Sequence, residues 1–316
     1  MIKWQDPRLL FKVAKLYYEE EKTQSEIADI MRVSRPIISK MLQRAKAEGI
    51  VDIKIHAPDE TLFQLEDELS RRFGLEEVVL AEGEEHDTDE VVKVRVAKCA
   101  ADYVLQKLQR GEKISVSWGT TLYQWVEEMS PTKLEGVEVI PIVGGIGQFR
   151  FEVHANFIAQ RLAAKLGASS YQLYAPAIVE RPEIRGTLLS DKSIAGVLDL
   201  GEHADWAVVG VGDPYKSTMQ RAGYLGEKEL EELRNAGAVG DCCSQFVTRD
   251  GELCDTELNR RVMAVPLTKL KKGPRVIGIC GGQSKAPSLR AVLNGGYLDI
   301  LISDRMTAEQ LLEGET

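Results

Sequence analysis

The sequence predicts a mixed α/β fold in two parts: a small helical head, then a mostly parallel, doubly wound sheet with helices on both faces. Three observations carry this. Helical apolar periodicity fills residues 7–45, short β-branched runs alternate with helical patterns beyond residue 90, and the balance of charge changes sign between the two stretches. A chain of 316 residues is long enough for two domains, and 44% apolar with 28% charged residues is the composition of a globular protein with a sizeable core. The expected division is 1–57 and 58–316, with a connector in 58–90.

In the head, Leu9, Leu10, Val13, Ala14, Leu16 and Tyr17 recur at helical spacing and predict a first helix over about 7–20. Thr23, with Glu26 three residues on, is a capping-box pattern opening a short second helix whose apolar face is Ile27, Ala28, Ile30 and Met31. Arg32-Val33-Ser34 reads as a turn. Ser34 then caps a third helix, with Pro36 near its start, Ile37, Ile38, Met41, Leu42 and Ala45 facing inward, and Gly49 ending it. The alternation in Ile50-Val51-Asp52-Ile53-Lys54-Ile55 predicts half of a wing hairpin, or a strand against it.

Two short helices joined by a three-residue turn place the second helix in a DNA major groove, so residues 1–57 read as a winged helix-turn-helix domain. Ser34 at the helix start and the outward set Arg35, Ser39, Lys40, Gln43 and Arg44 are the candidate DNA contacts. Arg and Lys pair with guanine edges or phosphates, Gln with adenine, and Ser with either. The alternative is a three-helix protein-interaction module with a solvated basic face. Arg32 stands where this turn usually carries Gly, which predicts a positive φ at a residue with a side chain.

The whole chain carries −9, a balance that argues against nucleic acid when taken alone. Residues 1–57, however, hold eleven Lys/Arg against eight Asp/Glu, and the remaining 259 hold 29 against 41. A mildly basic head on an acidic body fits a DNA-binding module fused to something else, and equally a solvated surface. No apolar run approaches the ~20 residues that span a bilayer, so no membrane association is expected. The start lacks a basic region followed by an apolar one, and a cytoplasmic location is expected. Five cysteines without Cys-x-x-Cys spacing and four scattered histidines support neither a disulfide framework nor a zinc site, and read as reduced, packed thiols.

In the body, residues 59–73 predict an amphipathic helix with Leu62, Leu65, Leu69 and Phe73 on one stripe, and Glu82–Glu90 a charged loop. Strands are expected over 113–117, 137–143, 170–174, 205–211, 274–280 and 298–303. Helices are expected over 90–110, 120–129, 152–167, 190–201, 226–235, 284–294 and 305–313. In open parallel sheets ligands bind beyond the carboxyl ends of the strands, and the unusual residues sit in those turns. Ser117-Trp118-Gly119-Thr120-Thr121 opens a helix, where hydroxyls and free N–H groups can hold a phosphate. Val143-Gly144-Gly145-Ile146-Gly147-Gln148, Gly210-Val211-Gly212-Asp213-Pro214 and Gly281-Gly282-Gln283-Ser284-Lys285 end three further strands. Tight turns need glycine in any case, but four of them, one with paired threonines and one with a lysine, favour a phosphate-bearing ligand. Neither a nucleoside-triphosphate P-loop nor a strict G-x-G-x-x-G is present, which speaks against ATP and NAD, and no cofactor is expected.

The order of these parts resembles the SorC/DeoR-type sugar-binding transcriptional regulators. The resemblance rests on Gln24-Ser25-Glu26-Ile27-Ala28 and Val33-Ser34-Arg35-Pro36 in the head. In the body it rests on Ser117–Thr121, Pro141–Gly147, Ala175-Pro176-Ala177, Gly212-Asp213, Gly240-Asp241 and Gly281-Gly282-x-x-Lys285. It implies a Rossmann-like effector domain similar to glucosamine-phosphate deaminases and ribose-phosphate isomerases. It also implies a homo-oligomer (dimer or tetramer) that binds double-stranded operator DNA and answers to a phosphorylated sugar. Carried over by position, Gly119, Thr120, Thr121 and Lys285 look like the phosphate grip, with Gly145 beside it. Gln148, Asn156 and Asp241 would face sugar hydroxyls. Asp241 could instead cap a helix or turn, and Asn156 could bridge backbone.

Two functions follow: a ligand-controlled repressor or activator of a carbohydrate-metabolism operon, with a repressor preferred, or a sugar-phosphate isomerase or deaminase with an appended DNA-binding head. The second needs a base near the acidic carbon of the substrate. Asp213, Asp241 and Glu152 are available, but no His or Lys is placed beside them in sequence, and no Schiff-base lysine ends the strand at 139–147. His154 and Glu152 are two apart and point different ways on a helix. The sequence therefore favours binding without turnover, and a pure interaction scaffold is the third class.

Overall fold

A computed structural model describes residues 6–52, 60–84, 86–145, 151–216, 218–221 and 223–313. The chain forms two compact units, Met1–Pro58 and Asp59–Thr316.

The amino-terminal unit holds α1 (Pro7–Tyr18), α2 (Gln24–Met31) and α3 (Arg35–Ala47). Asp6 caps α1 through the Arg8 N–H, and Pro7 starts it where a missing N–H costs nothing. The capping box of α2 is formed on both sides, Glu26 N–H to Thr23 and Thr23 N–H to Glu26. Leu10, Val13, Leu16, Ile27, Ile38, Met41, Leu42 and Ala45 make one buried core. Arg32 ends α2 at φ +53°, the left-handed turn expected of that position. Two expectations are corrected. Ser34 stands at the N-cap of α3 in extended conformation, but its side chain makes no capping hydrogen bond. Ile50 and Val51 form a bend rather than a strand, because both donate to the Ala45 carbonyl and finish the helix. The rest of the expected wing, Ile53–Ile55, lies outside the described residues.

The larger unit begins with α4 (Glu60–Phe73), β1 (Glu77–Ala81), α5 (Asp89–Lys107), β2 (Lys113–Val116), α6 (Thr120–Glu128) and β3 (Glu138–Pro141). It continues with α7 (Ala155–Leu166), β4 (Ser169–Ser170), α8 (Pro182–Ser190), α9 (Lys192–Glu202), β5 (Trp206–Gly212), α10 (Thr218–Arg221) and α11 (Glu227–Asn235). The hairpin β6 (Ala238–Cys242) and β7 (Gln245–Thr248) follows. After it come α12 (Glu257–Arg261), α13 (Leu267–Leu270), β8 (Arg275–Ile279), α14 (Ala286–Asn294), β9 (Ile300–Asp304) and α15 (Arg305–Leu312).

Seven strands pair in parallel in the order β1-β9-β8-β5-β2-β3-β4, while β6 joins the end of β5 antiparallel and carries β7. Residues along the central strands alternate between two buried cores: Trp206 and Val208 of β5 pack with α5, α6 and α7, whereas Ala207 and Val209 pack with α4, α9, α14 and α15. This period of two under continuous burial is what a sheet covered on both faces requires. The expected strand over 170–174 shortens to two residues at the sheet edge. The segment then leaves the sheet, and Ala177 bonds to Gly145 instead. Among the described residues no helix is long and apolar enough to cross a membrane.

Candidate ligand site

Three of the four glycine turns meet at the carboxyl ends of the parallel strands. After β2, the Ser117 N–H donates to the Val208 carbonyl, and its hydroxyl accepts the Gly210 N–H at 3.4 Å, which binds this turn to the next strand. Gly119 then caps α6 at φ +127°, where a side chain would be strained, and its N–H donates to Val153. Thr120 and Thr121 follow as the first residues of α6, half-buried, with no acidic residue in that turn. The free N–H groups and positive end of the helix are therefore gathered with two threonines at the helix start.

The second turn ends β5. Gly212 pairs with Asp241 of β6, and a Cβ there would come within 2.9 Å of Asp241 Oδ2. Glycine is what lets that carboxylate in. Asp241 is 6% exposed, and its Oδ1 accepts the Ser244 N–H at 3.0 Å. Burial pushes its pKa up to about 6, against the opposing pull of that N–H and of the Lys285 ammonium. The third turn follows β8. Gly281 is pressed against Val96 and Asp304, while Gly282 sits at φ +98° and donates to Asp304 at 2.8 Å. Lys285 is thereby brought over β5, its Nζ 3.3 Å from the Val211 carbonyl.

These turns enclose a cavity of 260 Å³. Gly119, Thr120, Thr121, Asp241 and Lys285 all line it, as do Trp118, Asp213, Lys216, Cys243, Ser284 and, from the start of α5, Asp89, Glu90 and Lys93. Glu90 and Lys93 are paired, and Ser284 donates to Asp89 at 3.1 Å. The cavity thus offers donors for an anion and carboxylate acceptors together. Among the described residues no cluster of His, Cys, Asp and Glu is arranged to hold a metal ion.

Two predicted members lie elsewhere. Gly145 is tied to the backbone of Ala175 and Ala177 at 2.8 and 2.7 Å and does not line the cavity. Its neighbour Gly144 has room for no side chain beside Pro176 O, 2.2 Å from where a Cβ would lie, so Gly144 serves close packing, whereas a Cβ on Gly145 would meet His154 and Ala175 only at ordinary contact distance. Asn156 spends its amide on Leu173, donating at 3.0 Å and accepting at 2.9 Å, and is corrected from a sugar contact to a backbone bridge. Gln148 lies outside the described residues. Trp118, Cys243 and the α5 residues were not predicted. The Thr88-Asp89-Glu90 helix start was the available signal for α5, but nothing in sequence says that it faces the turn after β8.

In the smaller unit Ser34, Arg35, Lys40 and Gln43 are exposed and Ser39 and Arg44 half-buried on α3. Arg44 is held by Glu48 in an i, i+4 ion pair.

The family described as "Putative sugar-binding domain" matches residues 58–313. The chain is 31% identical to the deoxyribonucleoside regulator of Bacillus subtilis (strain 168), over 96% of this chain and 97% of the relative. It is also 31% identical to the sorbitol operon regulator of Klebsiella pneumoniae, over 98% of both. The crystal structure of that full-length regulator, SorC, aligns with a TM-score of 0.75 at 31% identity, covering 98% of this chain and 99% of the other. A DeoR family transcriptional regulator from Listeria monocytogenes aligns with a TM-score of 0.75 at 34% identity, covering 80% and 100%.

Proposed function

Because this chain belongs to the sugar-binding domain family of SorC/DeoR-type transcriptional regulators, we propose that it is a DNA-binding repressor of a carbohydrate-metabolism operon, controlled by a phosphorylated sugar. Its relatives are regulators rather than enzymes, and this chain acts in the same way, by binding. The observation that carries the ligand class is the convergence of the α6 N-terminus, Thr120, Thr121 and Lys285 on one cavity. An anion there gains N–H donors, hydroxyls, the helix dipole and an ammonium together. Asp241 then accepts from sugar hydroxyls.

In the head, α2 and α3 act as a helix-turn-helix, with Ser34, Arg35, Ser39, Lys40, Gln43 and Arg44 meeting double-stranded operator DNA. A cytoplasmic homo-oligomer presents two such heads to paired half-sites. Effector binding alters the subunit packing and so the spacing of the recognition helices. A coupling of about 1–3 kcal/mol changes operator affinity roughly 5–150-fold. The test is incubation with a panel of sugar monophosphates. Thermal stabilisation and a shift in operator affinity, without product, are expected. Product formation would overturn the regulator, and the absence of stabilisation by every member would overturn the ligand class.

A further inference from the structure

Beside the cavity, the turn joining β6 to β7 is strained without taking part in the anion grip. Its two central residues, Cys243 and Ser244, sit at φ +53° and +62°. Such paired left-handed positions ordinarily take Asn or Gly, and residues with side chains stay there only where their surroundings hold them. Two buried hydrogen bonds do so at Ser244. Its N–H donates to Asp241 Oδ1 at 3.0 Å, and its hydroxyl accepts from Trp118 Nε1 at 2.9 Å. Trp118 belongs to the turn that starts α6, and Asp241 to β6. The next residue, Gln245, is tied to Val265 and Leu267, so the turn is anchored to the following segment as well.

We propose that Ser244 is a positioning residue that links the anion-binding turn to Asp241 through Trp118, so that a change at one is felt at the other. This rests on the reading of the cavity as the effector site. An anion drawn to Thr120 and Thr121 moves Trp118, Ser244 follows, and Asp241 re-aims. In reverse, a proton on Asp241 weakens its hold on the Ser244 N–H and releases Trp118. The charged and titratable groups around Asp241 are Lys285 from the turn after β8 and Cys242 on its own strand, with Cys243 of the next turn, Asp213 and Lys216 after β5, and Asp89, Glu90 and Lys93 of α5 lining the same cavity. Lys285 is the charge that opposes protonation, and burial outweighs it.

The reverse direction gives a test that needs no effector. Tryptophan emission of the ligand-free full chain is followed from pH 4.5 to 8 in the wild type and in Trp118→Phe, which separates Trp118 from Trp4, Trp125 and Trp206. A step with its midpoint near pH 6 is expected, lost in Trp118→Phe and in Asp241→Asn. Ser244→Gly, which suits φ +62° but lacks the hydroxyl that accepts from Trp118, loses the step. No step in the wild type, or a step that survives Ser244→Gly or Asp241→Asn, overturns the link. If the step behaves as described and no sugar phosphate stabilises the wild type, the effector reading fails and the link stands.

Discussion

In the amino-terminal unit the candidate contact residues lie between Ser34 and Arg44 on one helix, whereas the cavity of the larger unit draws on segments spread from Asp89 to Lys285. The first surface is local: a helix period decides which side chains point out, and each can be removed without disturbing the others. The second exists only because strand order brings β2, β5, β6 and β8 side by side, and its members share one enclosed volume. Single substitutions should therefore act independently on α3 and through one another in the cavity. Stability divides in the same way, since an exposed face costs little while a buried carboxylate costs much.

The largest effect expected is on that carboxylate. Asp241 has its pKa raised from 3.8 to about 6. Between those values the folded chain keeps a proton that the unfolded chain has lost, so the stability tied to this group is full below pH ~4 and falls as pH rises through 6. Asp241→Asn, neutral throughout, should make the ligand-free protein more stable than wild type above pH 6, by up to about 3 kcal/mol, with the gain gone below pH ~4. The same variant should lose the effector response. Thermal melts across that range check the sign, and equal stability at pH 8 would show that the site carries no such cost. No substitution among Arg35, Lys40 and Gln43, all exposed, should gain stability on this scale.

A pair of lysines sharpens the comparison. Lys40→Ala should weaken operator binding by about 1–3 kcal/mol, with a salt slope shallower by about one if the lost contact is a phosphate. Lys285→Ala should leave operator affinity in place and remove most of the shift caused by a sugar phosphate. Fluorescence anisotropy on operator DNA at several salt concentrations, with and without the effector, reads both. Arg44→Ala should cost less than Lys40→Ala, because Arg44 must first leave Glu48, and Glu48→Gln should tighten binding for the same reason. Loss of DNA binding in Lys285→Ala would break the separation of the two surfaces, and unchanged binding in Lys40→Ala would remove α3 as the reader.

What was legible in the sequence follows the same division. Thr23 and Glu26, three residues apart, announced a cap that is there, and the left-handed Arg32 followed from its place in a short turn. In the body the parallel sheet and the Gly119–Thr121 turn were readable because each is built from neighbours in sequence. The β6–β7 hairpin was not, because Cys243-Ser244 lacks the Asn-Gly signature and is held by a tryptophan 126 positions away. Gly144 and Gly145 resemble a ligand turn in sequence, but Gly144 lacks a side chain to make room for Pro176 and Ala175, and Gly145 is held by its backbone bonds to Ala175 and Ala177. Asn156 fails for a related reason: a polar group at the start of a buried helix meets its demand for partners with whatever backbone lies nearest, here Leu173.

The smallest expected effect tests the edge of the local surface. Arg32 closes α2 at φ +53°, ψ +45°, with its N–H given to Ala28 and Asp29 and its side chain exposed. A left-handed residue with a Cβ costs roughly 1 kcal/mol, which glycine escapes, although glycine also loses more chain entropy on folding. Arg32→Gly should therefore raise the stability of the head by less than about 1 kcal/mol. Because Arg32 precedes the set from Ser34 to Arg44, operator affinity should stay as it is. Weaker DNA binding in a more stable variant would carry the contact face back into the turn, and would mean that the arginine is kept at a strained position for its charge.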